Sequence, residues 1–271
     1  DVAHVSYHGG MDDDFRTEAQ EAFLTRRADI VVATNAFGMG IDRSDLRFIA
    51  HFEMPGSVEA YYQEAGRAGR DGLPAVCDLF FRHNDRRVQE FFIEGSNPGK
   101  SLIVDLYTHL RQLSGDTPEV VISINDLSEK MEIGNTMAVG TALIHLSRHG
   151  YIERYDIPGQ RIRGTRLLNP DLRPHDIQID TDALAKKERR DRAKLESMLE
   201  YAQASDCRQV WILNYFGERN ARPCGRCDHC QLVAPEGIRE PTNDEKVILQ
   251  KALSGIARMS YRSGLEGWHP R

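Results

Sequence analysis

An α/β fold built on a parallel sheet is predicted for the first third of the chain by three observations. Short apolar runs alternate with amphipathic stretches up to about residue 95. One run, DIVVAT at 29–34, is apolar almost throughout, as strands buried on both faces of a sheet are. A Gly-rich loop follows this run, at what would be the carboxyl edge of the sheet, where open α/β folds bind ligands.

Composition sets the broad class. The chain has 271 residues, enough for two or more domains, with 40% hydrophobic residues and a formal net charge of −6. No apolar run reaches the length of a membrane span and no signal-peptide pattern opens the chain, so we expect a soluble protein without a membrane partner. The acidic balance excludes a uniformly basic nucleic-acid binder but allows local basic faces. The opening residues DVAHV look like the end of a strand, which favours a piece of a longer protein.

The elements of the first third follow one another in order. Strands are predicted at 3–7, 29–34, 48–52 and 75–81, and helices at 12–27, 57–64 and 84–93. Ser57 is a suitable N-cap for the second helix. The stretch GSNPG at 95–99 interrupts the alternation and predicts the first domain boundary.

The next stretch, 100–173, predicts a winged-helix-like α+β domain. Its elements are a helix at 102–113, a strand at 120–124, helices at 125–131 and 136–149, and strands at 151–156 and 160–168. Arg161 and Arg163 alternate along the proposed wing and share a face, which suits contact with a DNA backbone. The alternative is a packing or protein-contact domain with solvated arginines.

The last third is predicted to be helical from 186 to 216 and then to form a metal site. Four cysteines crowd together, with spacings typical of a structural, tetrahedral Zn²⁺ site: Cys207, Cys224, Cys227 and Cys230. The first ligand is expected to come from a helix. The alternatives are four free or redox-active cysteines, or His229 in place of one cysteine. The basic run KKERRDRAK at 186–194 is either a second basic face or a solvated helix start, and Thr242 with Glu245 predicts a capping box for a final helix.

Two motifs about twenty residues apart predict a ligand site. In the first, Thr34 ends a strand, glycines follow, and Asp42 could accept a hydrogen bond from a ribose hydroxyl. The alternative is an ordinary strand followed by a loop. In the second, Gln63, Arg67 and Arg70 are spaced to share one helix face, which suits the charge of a transferring phosphoryl group.

The glycines beside these arginines, Gly66 and Gly69, cost a helix roughly 1 kcal/mol each relative to Ala. We therefore expect them to permit the close approach of another surface; the alternative is a solvated basic helix end.

The motifs AFGMGID (36–42), QEAGRAGRDG (63–72) and YHGGM (7–11) resemble those of the second RecA-like lobe of RecQ-family helicases. The resemblance implies that Arg70 is the arginine finger, that Arg67 acts beside it, and that Gln63 couples nucleotide to DNA. It implies that Thr34 and Asp42 belong to motif V and that His8 faces DNA. The sequence DCRQVWILNYFGE with CGRCDHC likewise resembles the zinc-binding module of the family.

The predicted organisation is a RecA-like parallel-sheet lobe, N-terminally incomplete (1–95), a winged-helix-like domain (100–173), a helical zinc-binding module (186–235) and the start of a truncated C-terminal domain (242–271). The winged-helix-like segment departs from the commoner order of the family, in which the zinc module follows the lobe directly. It therefore looks like an insertion whose role does not carry over from the resemblance.

The resemblance implies an ATP-dependent DNA helicase that unwinds with 3′ to 5′ polarity in repair and recombination. It implies ATP and Mg²⁺ as cofactors beside Zn²⁺, and as partners single-stranded DNA, duplex junctions and a missing N-terminal lobe. We expect a monomer, in the bacterial cytoplasm at the nucleoid or in a eukaryotic nucleus. The sequence has no G-x-x-x-x-G-K-[ST] and no DEAH motif, so the chain alone is expected to lack ATPase activity. The rivals are an RNA helicase and a zinc-stabilised winged-helix DNA-binding regulator without catalysis.

Overall fold

A computed structural model describes residues 2–38, 43–232 and 242–243 of the chain. The chain divides into two compact units, Asp1–Gln203 and Ala204–Arg271, which are described separately. None of the described helices is long and apolar enough to cross a membrane. Most of the predicted final helix and its Glu245 lie outside the described residues.

The first unit opens with the predicted alternation of strands and helices. The strands are β1 (His4–Tyr7), β2 (Ile30–Ala33), β3 (Phe48–His51) and β4 (Val76–Leu79), and the helices are α1 (Asp13–Leu24), α2 (Val58–Ala65) and α3 (Asp85–Ser96). A 3₁₀ helix, Asn35–Gly38, follows β2. β1 pairs with β2 and β3 with β4, both in parallel, which confirms the predicted α/β class. Among the described residues the strands form two pairs rather than one continuous sheet.

The sheet faces of this region are partly bare. The large apolar side chains of β2, β3, β4 and the residues just after them are 54–70% exposed: Val32, Phe48, Phe52, Val76 and Phe80. Strands that present such side chains normally bury them against a covering layer. Within the described residues, no such covering layer buries these five side chains.

The winged-helix-like element order is confirmed. The helices are α4 (Lys100–Ser114), α5 (Ile124–Lys130) and α6 (Thr136–Arg148), and the strands β5 (Glu119–Val121), β6 (Ile152–Asp156) and β7 (Arg163–Leu167). The strands form an antiparallel sheet in the order β5-β7-β6. Ser123 caps α5 and Asn135 caps α6 with their side-chain oxygens. Fully buried Ile103, Leu106 and Val139 lie in the core that joins the helices to this sheet.

After a 3₁₀ helix at Pro174–Asp176, the long helix α7 (Thr181–Gln203) returns to the first region and packs on α2 and α3. Lys187 Nζ donates to the Ser96 carbonyl, to Asn97 Oδ1 and to Asp191 Oδ2, at 2.9 to 3.1 Å. Within the basic run 186–194, Lys194 pairs with Glu59 of α2. Much of that run therefore serves intramolecular pairing. The second unit contains α8 (Arg208–Tyr215) and α9 (Asp228–Leu232).

Candidate functional site

The two candidate arginines lie in a turn and not on a helix. α2 ends at Ala65, so Gln63 is on its last turn, whereas Arg67 and Arg70 follow in a segment that we call the arginine turn (66–72). The prediction that all three share one helix face was wrong. Gly66 is the C-cap of α2, and Gly69 has a φ of +62°, a left-handed conformation that a helix does not contain.

The glycines of the arginine turn are explained by its own backbone. A Cβ on Gly66 would lie 2.8 Å from the carbonyl oxygen of Tyr62, and a Cβ on Gly69 would lie 2.8 Å from that of Leu73. These contacts account for both glycines without the approach of another surface, which the sequence had led us to expect. They end α2 and reverse the chain, which leaves Arg70 exposed and Arg67 half-buried.

The arginine turn is fastened to the segment that follows the Gly-rich loop. The Gly69 N–H donates to Leu46 O at 2.9 Å, and the Asp71 N–H donates to Ser44 O at 3.1 Å. Arg47 Nη2 lies 2.6 Å from both carboxylate oxygens of Asp71, and this hydrogen bond holds the pKa of Asp71 below its usual value. Within the turn, Arg70 Nε donates to the Gly66 carbonyl at 3.2 Å.

Asp42, the predicted ribose ligand, lies outside the described residues. In the sequence it directly precedes the segment 43–47 against which the arginine turn is fastened. The two predicted motifs are thus connected through 43–47.

His8 and Thr34, the predicted DNA-facing residues, lie at one edge of the first strand pair. β1 and β2 run in parallel with Tyr7 opposite Ala33, so the residues that follow them emerge together at the carboxyl edge. The Thr34 N–H donates to the Tyr7 carbonyl at 3.1 Å. Both His8 and Thr34 are exposed, and His8 Nδ1 accepts the Gly10 N–H at 3.2 Å.

The wing is less basic than its sequence indicates, because acidic neighbours pair with its arginines. Arg163 pairs with Asp156 at 2.7 Å, and Arg166 pairs with Glu119 and Glu153, both at 2.9 Å. Arg161, by contrast, is exposed in the wing turn and makes no ion pair with a described residue. Of the two DNA contacts predicted on the wing, Arg161 is therefore more available to a phosphate than Arg163.

The second helix of the helix-turn-helix in this domain, α6, packs on α3. Asn135 Nδ2, at the start of α6, donates to the Phe91 carbonyl of α3 at 2.9 Å, and Thr141 Oγ1 donates to the Gly95 carbonyl at 2.7 Å. Met137 lies so close to Gly95 that a Cβ there would be 2.9 Å from its side chain. Sequence reasoning missed this contact between α6 and α3. The one signal for it in the sequence was a glycine, Gly95, near the end of a predicted helix.

The four cysteines converge in the second unit. Their Sγ atoms all lie within 4.8 Å of one another, with Cys224 and Cys230 at 4.0 Å. Four thiolates at a Zn–S distance of about 2.3 Å around one tetrahedral Zn²⁺ lie about 3.8 Å apart, so the cluster fits a closed structural site. The expectation that the first ligand comes from within a helix needs correction, since Cys207 is the N-cap of α8.

The environment of the cluster favours the thiolate form at Cys207 and Cys227, because it lowers the pKa of both. Burial acts against ionisation of Cys207, but hydrogen bonds from the backbone N–H groups of Cys224 and Val210 and from the thiols of Cys230 and Cys224 together lower its pKa to about 6. Cys230 differs: although the Gly225 N–H favours its thiolate, burial and the neighbouring thiols raise its pKa to about 12. Zn²⁺ held by the four cysteines would displace the remaining thiol protons, because cysteine binds a metal as the thiolate. His229 is not part of the cluster and lies near Asp228, with 3.5 Å between Nε2 and Oδ2.

The comparisons with known proteins agree with both parts of this arrangement. The model of the helicase conserved C-terminal domain matches residues 1–72, and that of the RecQ zinc-binding domain matches residues 170–231. Residues 73–169, between the two matches, contain α4 to α6 and their sheet. This position agrees with an insertion.

Two relatives extend along nearly the whole chain. The ATP-dependent DNA helicase RecQ of Bacillus subtilis is 31% identical over 258 residues, which is 95% of this chain and 28% of that protein. The ATP-dependent DNA helicase RecQ of Pasteurella multocida is 30% identical over 264 residues, 97% of this chain and 27% of that protein. The chain therefore spans less than a third of the length of these relatives.

Proposed function

Because the chain belongs to the RecQ family of helicases, we propose that it supplies the arginine-bearing part of an ATP-dependent enzyme that unwinds DNA with 3′ to 5′ polarity in repair and recombination. The observation that carries this proposal is the arginine turn. It holds two arginines on a backbone fastened by Gly69 and Asp71 to the segment after Asp42. Guanidinium groups on such a support suit the charge that develops on a transferring phosphoryl group.

Each residue has a distinct role in this proposal. Arg70 is the arginine finger, Arg67 acts on the same phosphates, and Gln63, one turn earlier, couples the nucleotide to DNA. Asp42 accepts a hydrogen bond from the ribose. The phosphate-binding loop and the Mg²⁺ ligands come from outside this chain, whose sequence lacks both motifs.

The DNA surface in this proposal starts at the carboxyl edge of β1 and β2, where His8 and Thr34 contact single-stranded DNA. The wing adds a backbone contact through Arg161, and through Arg163 once its pairing with Asp156 is exchanged for a phosphate. Surface ion pairs of this kind contribute only about 0–1 kcal/mol, so the exchange costs little. The four cysteines would hold one Zn²⁺ in a structural role, which would fix the cysteine loop rather than supply a site for chemistry.

The rival function, a winged-helix regulator without catalysis, is disfavoured by two observations. α6 is docked on α3 through Asn135 and Thr141, and it carries no Arg, Lys, Asn or Gln before Arg148 with which to read base edges. A regulator would also leave the arginine turn without a purpose.

The test uses the full-length helicase that carries this chain, with ATP and forked DNA. Arg70→Ala should lower the unwinding rate at least about 10³-fold, the scale of an arginine finger, while DNA affinity stays near that of the parent. Arg27→Ala is the matched control, because Arg27 is exposed beyond α1 and bonds only Thr25 among the described residues. Unwinding by Arg70→Ala at the parent rate would refute the assignment.

A further inference from the structure

α2, which delivers the arginine turn, depends on its neighbours for its position. It has eight residues, and helices this short are marginal without tertiary contacts. At its start Ser57 Oγ accepts the Ala60 N–H at 3.2 Å. At its end Glu64 Oε2 lies 2.9 Å from Nε2 of His51, the last residue of β3. The contact with His51 is therefore close to the point where the chain leaves α2 and enters the arginine turn.

His51 is a costly choice for this position. It is 7% exposed, and its Nδ1 atom is buried without a hydrogen-bond partner in the described structure. Leaving a buried polar atom unsatisfied costs about 1–3 kcal/mol, which an apolar ring of similar size would avoid. Packing alone therefore does not account for histidine here, whereas the directional bond from Nε2 to Glu64 does.

A second line of contacts reaches α2 from α7. The ring centroid of Tyr61, in the middle of α2, lies 5.0 Å from that of His51 in β3 and 5.1 Å from that of Tyr201 in α7. All three rings are buried. Lys194 of α7 also reaches Glu59 on the first turn of α2, at 2.9 Å. α2 is thus held between β3 and α7.

We propose that His51 is a positioning residue for the arginine turn, acting through Glu64, and that Tyr201 supports it from α7. The inference rests on the proposed role of Arg67 and Arg70. His51 touches neither nucleotide nor DNA; it sets the direction in which α2 ends. A displacement of about 1 Å in a charge-stabilising group can reduce turnover by as much as 10²-fold, so a pair that fixes this direction affects the rate and not the affinity.

The kinetic test compares His51→Phe with His51→Gln in the full-length helicase. Phenylalanine keeps the ring against Tyr61 but cannot donate to Glu64, whereas the glutamine amide can donate. We expect His51→Phe to lower DNA-stimulated kcat for ATP about tenfold, with KM for ATP and DNA affinity within about twofold, and His51→Gln to restore most of the rate. His149→Phe, an exposed histidine of the inserted domain, is the control.

A second measurement is independent of activity. In this chain alone, hydrogen exchange at the Gly69 and Asp71 amides reports the bonds to Leu46 and Ser44. His51→Phe should speed their exchange about tenfold and leave α6 unchanged. Unchanged exchange, or faster exchange with unchanged kcat, overturns the proposal. If the parent protein does not hydrolyse ATP with DNA, the proposed function fails, and the positioning role is then decided by exchange alone.

Discussion

Gly95→Ala tests the docking of the inserted domain on α3. The new Cβ would lie 2.9 Å from the Cβ, Cγ and Sδ atoms of Met137. Overpacking of a close contact costs about 1–3 kcal/mol, and replacing a helical glycine by alanine returns up to about 1 kcal/mol. The net expectation is a loss of about 1–2 kcal/mol, which for a unit of this size lowers the midpoint of thermal unfolding by about 2–8 °C.

The matched control is Gly140→Ala, in α6 of the same domain. Its Cβ would lie 3.7 Å from Ile124 Cδ1, an ordinary van der Waals distance, so the helix gain is uncompensated and the midpoint should rise. Both variants are measured by circular dichroism in the same buffer. A lower midpoint for Gly95→Ala together with a higher midpoint for Gly140→Ala would distinguish a specific contact with Met137 from a general response to alanine.

A double-variant cycle completes the test. Met137→Gly removes all three atoms that the new Cβ meets, so Gly95→Ala should be neutral or stabilising in that background. Equal destabilisation by Gly95→Ala with and without the Met137 side chain would show that the contact is not the cause. A midpoint for Gly95→Ala at or above the parent would refute the reasoning at once.

Three further outcomes follow from the sites. Cys224→Ser, or strong chelation, should release one zinc per chain and unfold the cysteine loop while the α4–α6 core keeps its exchange protection; a metal-free parent would contradict this. The chain alone should show no ATP turnover above background in a coupled assay, so activity that tracks the pure protein would count against the missing-motif argument. Arg161→Ala should weaken DNA binding and reduce the salt slope by about 1, whereas Arg166→Ala, already paired with two glutamates, should change little; equal losses would remove the distinction drawn in the wing.

The element order and the cysteine cluster could be predicted from the sequence because both depend on local signals. Apolar runs and the cap at Ser57 mark helices and strands within a few residues. The spacing of the cysteines carries the metal site almost alone.

The arginine turn shows where local reasoning stops. The spacing of Arg67 and Arg70 fits a helix, but Gly66 and Gly69 within the same stretch indicate its end, and steric contact with Tyr62 and Leu73 decides between the two. The helix predicted from the spacing was therefore wrong, because α2 ends at Ala65 and Gly69 is left-handed.

Long-range contacts were beyond prediction. Lys187 meets Asn97 across ninety residues, and Asn135 meets Phe91 across forty-four. In the sequence, nothing distinguishes the members of these two pairs from ordinary exposed polar residues. The same holds for the pairing of Arg166 with Glu119, which turns a basic sequence into a nearly neutral face.

The bare side chains on β2, β3 and β4 have a practical consequence for handling the protein. Five large apolar groups, each more than half exposed, favour association between molecules. Within the described part of the chain each of these strands has one partner, which leaves backbone groups on its other edge open to a foreign strand. Purified by itself, the chain should show an apparent molecular mass by light scattering that rises with concentration, and it should bind a fluorescent apolar dye. Sulfate at high concentration should worsen this behaviour, because salts excluded from the protein surface strengthen apolar association.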